Sequence, residues 1–419
     1  MKENKVLIIT YDWPPRNSIA CHRPYSWAKY FSNRGFNVTI LTAEKQLYDY
    51  PLDLNLECIE KVEVITLKFP NEFNKFNLIN KLNKNSKFFL FFRNLNNLIK
   101  IFFGIDIDPR LWWSNAILLG KFKIKDDFDY VISTYGPQSA HYIAAHLKSQ
   151  NNKIKWIADY RDLWSISHLS NLPLWKKKSL MQKEYNLLFG KADLVTTVSE
   201  ELAIDLRNFL KIKTEVILNG FDINNDLLYE NFKTKKIKKK SLITIVYTGM
   251  IYIGRRDPSP LFQAISELGT DNIVVEFYGS SSDTIFDLFK GTLPKFIRCN
   301  GYVNREKSLE LQKSADYVLL LESSNEDARG VLTGKVFEYI SSGTPIMSIG
   351  SKRDSAIGKL LNYTNTGKCF ENNLIELKQE LLNSQVMANP DWYQPDITKI
   401  MEFSRDNQSR LFFNLIKNL

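Results

Sequence analysis

Short apolar runs alternate along this chain with stretches of helical period. Val6-Leu7-Ile8-Ile9-Thr10 reads as a buried strand, and the loop Tyr11 to Ser18 follows it. A helix comes next, with Tyr25, Trp27, Ala28 and Phe31 as apolar positions and a stop at Arg34-Gly35. Val38-Thr39-Ile40-Leu41 is then a second strand, so the opening is a βαβ unit and predicts a parallel sheet covered by helices. Phe128 to Thr134, Lys155 to Ala158 and Ala192 to Val198 continue the strand series. A helix containing His141 and His146 lies among them, and Ser199-Glu200 opens another. Asn219-Gly220 marks a turn, after which the pattern restarts. Leu242 to Tyr247, Val274 to Gly279, Ala315 to Leu321 and Ile346 to Ile349 read as strands, with Ile297 to Val303 as a strand-like edge. Between the last two strands Thr333 to Ile340 reads as a helix ended by Gly343-Thr344-Pro345. Ile397 to Leu419 predicts a closing amphipathic helix whose apolar residues include Ile400, Phe403, Leu411, Phe412 and Leu415. Two α/β halves with a crevice between them are the expected architecture.

The chain's 419 residues, 44% of them hydrophobic, suffice for two cores. Its net charge of +10 is scattered except in two stretches. From Phe73 to Ile105, Lys75, Lys81, Lys84, Lys87, Arg93 and Lys100 are interspersed with Phe88, Phe91, Leu95, Leu98 and Phe102 at helical spacing, with no carboxylate between. This is either a basic amphipathic helix resting on an anionic membrane surface or a domain helix with solvated cations. No nucleic-acid module surrounds it, so no nucleic-acid partner is expected. Lys233 to Lys240 is a charge run and reads as a solvated connector. Cys21, Cys58, Cys299 and Cys369 lie far apart, which indicates neither a zinc site nor a disulfide framework. The start of the chain does not read as a signal peptide, and no window has the length of a membrane-spanning helix. The expected location is cytoplasmic, with peripheral contact at the inner face of the plasma membrane if 73–105 docks there.

No G-x-G-x-x-G fingerprint is present, which counts against a nicotinamide or flavin enzyme. The candidate chemistry lies beyond strand ends instead. Pro14-Pro15-Arg16 after the first strand either lines a cleft or is plain turn chemistry. Asp159, Arg161 and Asp162 follow a buried strand. The arginine could clamp a phosphate or carboxylate and either acid could take a proton or a sugar hydroxyl; the alternative is an ion pair capping a helix. Gly249 ends a strand in the second half, and Gly254-Arg255-Arg256-Asp257-Pro258 then leads into a helix. Those arginines suit a diphosphate, or are solvated loop residues. Lys335 and Glu338, one turn apart on one helix face, suit a phosphate and the two hydroxyls of a ribose, or form a surface pair.

Taken in order, Pro14-Pro15, Asp159 to Trp164, Thr197 to Glu200, Asn219-Gly220-Phe221-Asp222, Gly254 to Pro258, Gly301-Tyr302-Val303 and Gly334-Lys335-Val336-Phe337-Glu338-Tyr339 resemble the retaining glycosyltransferases of family 4 across nearly the whole chain. The resemblance implies an α/β chain of GT-B fold, two Rossmann-like domains with parallel sheets facing a central cleft. Residues 1–215 would form the acceptor domain, 216–392 the nucleotide-sugar-binding domain, and 393–419 a helix crossing back to the first. It implies hexosyltransferase-type transfer from a nucleotide-sugar to an acceptor hydroxyl, with a glycan or lipid-linked glycan of surface polysaccharide biosynthesis as acceptor. It places Glu338 on the ribose, Lys335, Gly249 and Arg255 or Arg256 at the diphosphate, and Tyr302-Val303 beside the base. Asp159, Arg161 and Asp162, with Pro15 and Arg16, would shape the acceptor side. No cofactor and no metal are implied. Three positions depart from the pattern: Gly330 stands where the family's first paired acid belongs, with Glu326 or Asp327 as substitutes; Met250 replaces an arginine; and Ser18-Ile19-Ala20 replaces a glycine pair. The rival readings are a sugar-nucleotide epimerase of the same fold and a donor-binding scaffold without activity.

Overall fold

Two all-parallel sheets carry the chain. The computed structural model describes residues 4–46, 49, 51–68, 113–118, 124, 127–167, 172–222, 225–233, 242–249, 251, 256–279, 284–285, 289, 292–325, 329–385 and 389–419. The basic stretch 73–105 and residues 234–240 of the charge run lie outside the described residues. The first sheet comprises β1 (Lys5–Ile9), β2 (Asn37–Ala43), β3 (Val62–Leu67), β4 (Tyr130–Thr134), β5 (Lys155–Tyr160), β6 (Leu194–Thr197) and β7 (Thr214–Val216). Their order is β3-β2-β1-β4-β5-β6-β7. The second comprises β8 (Ile243–Thr248), β9 (Ile273–Tyr278), β10 (Ile297–Cys299), β11 (Tyr317–Leu321), β12 (Ile346–Ile349) and β13 (Gly367–Glu371), in the order β10-β9-β8-β11-β12-β13. The strand order reverses between β1 and β4 in one sheet and between β8 and β11 in the other.

Central strands are buried on both faces, which is why they appear in the sequence as continuous apolar runs: Val6 to Ile9 and Val318 to Leu320 are fully inaccessible. Three edge strands, β3, β7 and β13, were not expected from the sequence. β3 exposes Glu63 and Val64, β7 has three residues, and β13 (Gly-Lys-Cys-Phe-Glu) buries only Cys369 and Phe370. A half-solvated strand lacks the unbroken apolar run that marks the centre of a sheet.

The chain forms two compact units, residues 1–218 with 409–419, and residues 219–408. In the first, the tail of the chain completes the core. Phe412 lies 4.5 Å from the Trp27 ring and 5.8 Å from Phe31, and Phe413 lies 5.0 Å from Phe36. The closing segment, expected as one helix, is two: Ile397–Met401 and Arg405–Lys417. The break has a backbone cause. The Phe403 carbonyl accepts from Phe221 N (3.1 Å), and Arg405 N donates to Phe221 O (2.9 Å), so the helical ladder is interrupted there. Gly220 makes this approach possible, because at its φ of +68° a Cβ would lie 2.7 Å from Phe403 O. Among the described residues no helix is long and apolar enough to cross a membrane.

Phe412→Ala should lower stability by about 3–5 kcal/mol through the cavity it leaves. Leu411→Ala, at a 45% exposed neighbour, should change it by under about 1 kcal/mol. Urea unfolding of both variants checks the contrast; equal losses would contradict this core.

Candidate functional site

In an open parallel sheet, loops leave in opposite directions where the strand order reverses, and a crevice opens beyond the carboxyl ends there. In the second sheet that point lies between β8, which Gly249 follows, and β11, which Glu322 follows. The helix Gly334–Ser341 brings Lys335 to it in its first turn. Gly249 has φ +130°, and a Cβ on it would lie 2.2 Å from Lys335 Nζ. The missing side chain is thus what lets the ammonium lie on the strand end. Lys335 Nζ donates to Tyr247 Oη at 3.0 Å and stands 4.4 Å from the centre of that ring. Thr248 N donates to Tyr339 Oη at 3.2 Å, which ties this helix to β8, and Gln312 Nε2, from the helix Arg305–Ser314, donates to Thr248 Oγ1 at 3.1 Å.

Arg256 joins this cluster, its Nη2 3.6 Å from Glu322 Oε1. Burial and then the Arg256 charge bring Lys335 down to about 7, against the opposing pull of Glu322 and Glu338. Burial raises the Glu322 carboxyl, with Arg256 and Lys335 opposing. One turn beyond Lys335, Glu338 Oε1 accepts from Arg305 Nη1 at 2.7 Å. Arg305 opens the helix Arg305–Ser314, capped by Asn304, directly after Tyr302 and Val303. Tyr302 is exposed, and Gly301 O accepts from Gly279 N at 2.7 Å, anchoring the start of that loop. The structure therefore brings Gly249, Arg256, Lys335 and Glu338 into one neighbourhood and supplies Tyr247, Arg305 and Glu322, which sequence reasoning did not select. Arg255, Met250, Glu326 and Asp327 lie outside the described residues.

In the first unit, Asp159 differs from its sequence reading. Its side chain is fully buried, and both oxygens are occupied: Oδ1 by Arg23 Nη2 (2.6 Å) and Thr196 Oγ1 (2.8 Å), Oδ2 by Arg23 Nε (3.2 Å) and Thr134 Oγ1 (3.0 Å). Arg23 Nη1 also donates to the carbonyls of Ile217 (2.6 Å) and Leu218 (3.0 Å). Asp159 thus ties β4, β5 and β6 to the helix Ile19–Asn33 and does not face a substrate. Arg161 and Asp162 lie past the strand end and are partly exposed, joined by an Nε–Oδ2 contact of 3.1 Å. Arg161 Nη1 also reaches Asp12 Oδ2 at 3.2 Å, and Arg16 Nη1 reaches Asp12 Oδ1 at 2.5 Å. Asp12, an acid in the loop just past β1, therefore holds two guanidiniums that the sequence reading treated separately. Pro15 O accepts from Leu54 N at 3.1 Å, which pins the turn that carries Arg16.

Residues 24–225 match the family model described as Glycosyltransferase Family 4. The two-sheet architecture is the GT-B fold. Solved structures of that fold align with the whole chain. Sucrose-phosphate synthase from Thermosynechococcus elongatus superposes with a TM-score of 0.62 at 12% identity, covering 99% of each chain. Anabaena HepE in complex with UDP and glucose superposes at 0.61 and 12% identity over 100% of both. The lipopolysaccharide outer core galactosyltransferase WaaB in its apo form does so at 0.58 and 12%, covering 99% of this chain and 100% of that one. At such identities the likeness establishes the fold. No curated protein matches the sequence.

Arg23→Ala should destabilise the protein by about 3–5 kcal/mol, because it leaves the Asp159 carboxylate buried without its cation. Adding Asp159→Asn should recover part of that loss in a double-mutant cycle read by denaturation. If Asp159→Asn alone kept full stability yet abolished turnover, the holding role would be wrong.

Proposed function

We propose that the protein is a retaining glycosyltransferase that binds a nucleoside-diphosphate sugar on its 219–408 unit and transfers the sugar to a glycan hydroxyl. The observation that carries this reading is the convergence of Lys335 and Arg256 on the bare strand end at Gly249. Departure of a nucleoside diphosphate builds negative charge, and cations fixed in a water-poor recess can stabilise it by several kcal/mol. Lys335 and Arg256 are assigned to the diphosphate, together with Arg255. With Oε1 of Glu338 held by Arg305, its second oxygen is assigned to the ribose hydroxyls, and Tyr302-Val303 to the base. Retention follows if the acceptor hydroxyl attacks the oxocarbenium-like centre from the face the phosphate leaves, with that phosphate taking the proton. Arg161, Asp162, Pro15 and Arg16 are assigned to the acceptor side, with Asp159 as the internal tie that positions Arg161. The side chains supply the charge, so this reading requires neither metal nor cofactor.

The likeness to a fold relative solved with UDP and glucose, and to a galactosyltransferase of lipopolysaccharide outer core, supports a nucleotide-sugar donor and a surface-glycan acceptor. A lipid-linked acceptor would be met at the inner face of the plasma membrane, with 73–105 as the contacting segment.

Arg256→Ala and Lys335→Ala should each lower turnover by orders of magnitude while circular dichroism stays unchanged; normal rates in both would refute the diphosphate assignment. Donor turnover that proceeds equally without any acceptor would favour an epimerase instead.

Affinity for UDP should also depend on pH through Lys335. Above about 7 the free site holds this lysine largely neutral, so binding a polyanion draws a proton onto it. Affinity should therefore fall between pH 7.5 and 9, by at most about tenfold per unit for one proton. Lys335→Arg, which stays charged, should flatten the profile in isothermal titration; a wild-type profile already flat would contradict the protonation coupling.

A further inference from the structure

The helix Leu174–Leu188, on the path from β5 to β6, buries only Glu184 and Leu188. Glu184 holds it in place, its Oε1 accepting from Tyr160 Oη at 2.8 Å and its Oε2 from Ser165 N at 2.9 Å. These ties fix the inward face at the end of β5, so the opposite face meets solvent in a set orientation. At 3.6 residues per turn, Trp175, Lys178, Gln182 and Asn186 lie along that outward face, and all four are exposed.

The start of the helix is an apolar tip set among cations. Leu174 is 77% exposed and Trp175 58%, whereas the other described tryptophans are buried or half-buried. Two adjacent apolar side chains this open forgo the free energy that burial would supply. Lys176, Lys177, Lys178 and Lys183 follow them, and Lys176 Nζ lies 5.7 Å from the centre of the Trp175 ring. The only acid of this helix is the buried Glu184, and none of the four lysines pairs with a carboxylate among the described residues. Cations in a first turn also oppose the helix dipole, and no acid stands there to offset them. The lysines therefore do little for the helix itself.

The boundary of an anionic bilayer complements this face in both charge and polarity. Leucine can enter the acyl edge, the indole can sit at headgroup level, and the lysine stems can lie along the apolar surface with their ammonium groups at the phosphates. Nucleic acid is a poorer match, because the helix has no arginine and Leu174 offers a base nothing to stack on or hydrogen-bond with.

We propose that Leu174 and Trp175, with Lys176, Lys177, Lys178 and Lys183, dock the protein on an anionic lipid surface. This face is separate in sequence from 73–105, and it does not rest on the diphosphate reading. Lysines act here as point charges, so the face responds to the negative charge of the headgroups and not to their identity.

The test is co-sedimentation of the full chain with vesicles, either of phosphatidylcholine alone or of equal parts phosphatidylcholine and phosphatidylglycerol. Wild-type protein should bind the anionic vesicles and leave the neutral ones. Each lysine near such a surface is worth about fivefold in affinity, so Lys176→Gln, Lys177→Gln and Lys178→Gln together should weaken binding by at least about tenfold. Leu174→Ser with Trp175→Ser should weaken it by a similar factor. A control losing the same charge at the exposed Lys153, Lys295 and Lys313, each changed to Gln, should differ from wild type by less than about threefold. Vesicles of brominated lipid should quench the wild-type tryptophan fluorescence, and Trp175→Phe should lose most of that quenching while still binding. Wild-type protein that ignored anionic vesicles would overturn the proposal. So would helix variants that bound no worse than the control, or quenching unchanged in Trp175→Phe. Binding of poly-uridylate through the same lysines, without binding of vesicles, would overturn it in favour of nucleic acid.

Discussion

The second unit depends on one interaction, a lysine ammonium laid on a bare glycine at the end of a central strand. Lys335 is partly buried, rests on the Tyr247 ring and is pushed toward neutrality by burial and by Arg256. Such a charge persists only where something offsets its desolvation. Glu322 and Glu338 do so in part, but Glu338 is already engaged by Arg305 and Glu322 by Arg256. Three cations thus face two carboxylates, an excess of positive charge that suits an anionic ligand. The requirement reaches back into the sequence. Gly249 must lack a side chain, Tyr339 must hold the helix to β8, and Gly343 must end that helix tightly, since a Cβ on Gly343 would lie 2.5 Å from Asn231 O.

The first unit uses the same material differently. Arg23 and Asp159 form a buried pair whose remaining hydrogen-bonding capacity is taken up by Thr134, Thr196 and two backbone carbonyls. A pair satisfied this fully contributes rigidity and position, and gives little to a ligand. Asp12, by contrast, gathers Arg16 and Arg161 while both remain about a fifth exposed. One carboxylate is spent on the frame and the other on presenting cations. Because Arg161 and Asp159 lie two positions apart past the same strand, the tie behind positions the cation in front.

How much of this was legible in the sequence follows from range. Central strands announce themselves because burial on both faces demands unbroken apolar runs, while β3, β7 and β13 were missed because an edge strand does not. Lys335 and Glu338 were legible because one helical turn separates them and a strand precedes and follows their helix. Asp159 was misread because an acid after a strand looks the same whether it meets a crevice or a helix. Its partner lies 136 positions away, and no local pattern reports it. Asp12 was missed for a similar reason, being 149 positions from Arg161. Glu322 had no local sign either; what marks it is its approach to Arg256, and pairing is a property of the folded chain. The break at Phe403 is the same kind of case, since it is caused by Phe221.

Co-crystallisation with UDP tests the central claim most directly. The account predicts the diphosphate beyond the carboxyl ends of β8 and β11, with a phosphate oxygen within about 3.5 Å of Lys335 Nζ and another beside Arg256. A well-defined UDP bound elsewhere, with Lys335 still turned onto the Tyr247 ring and touching no phosphate, would contradict it.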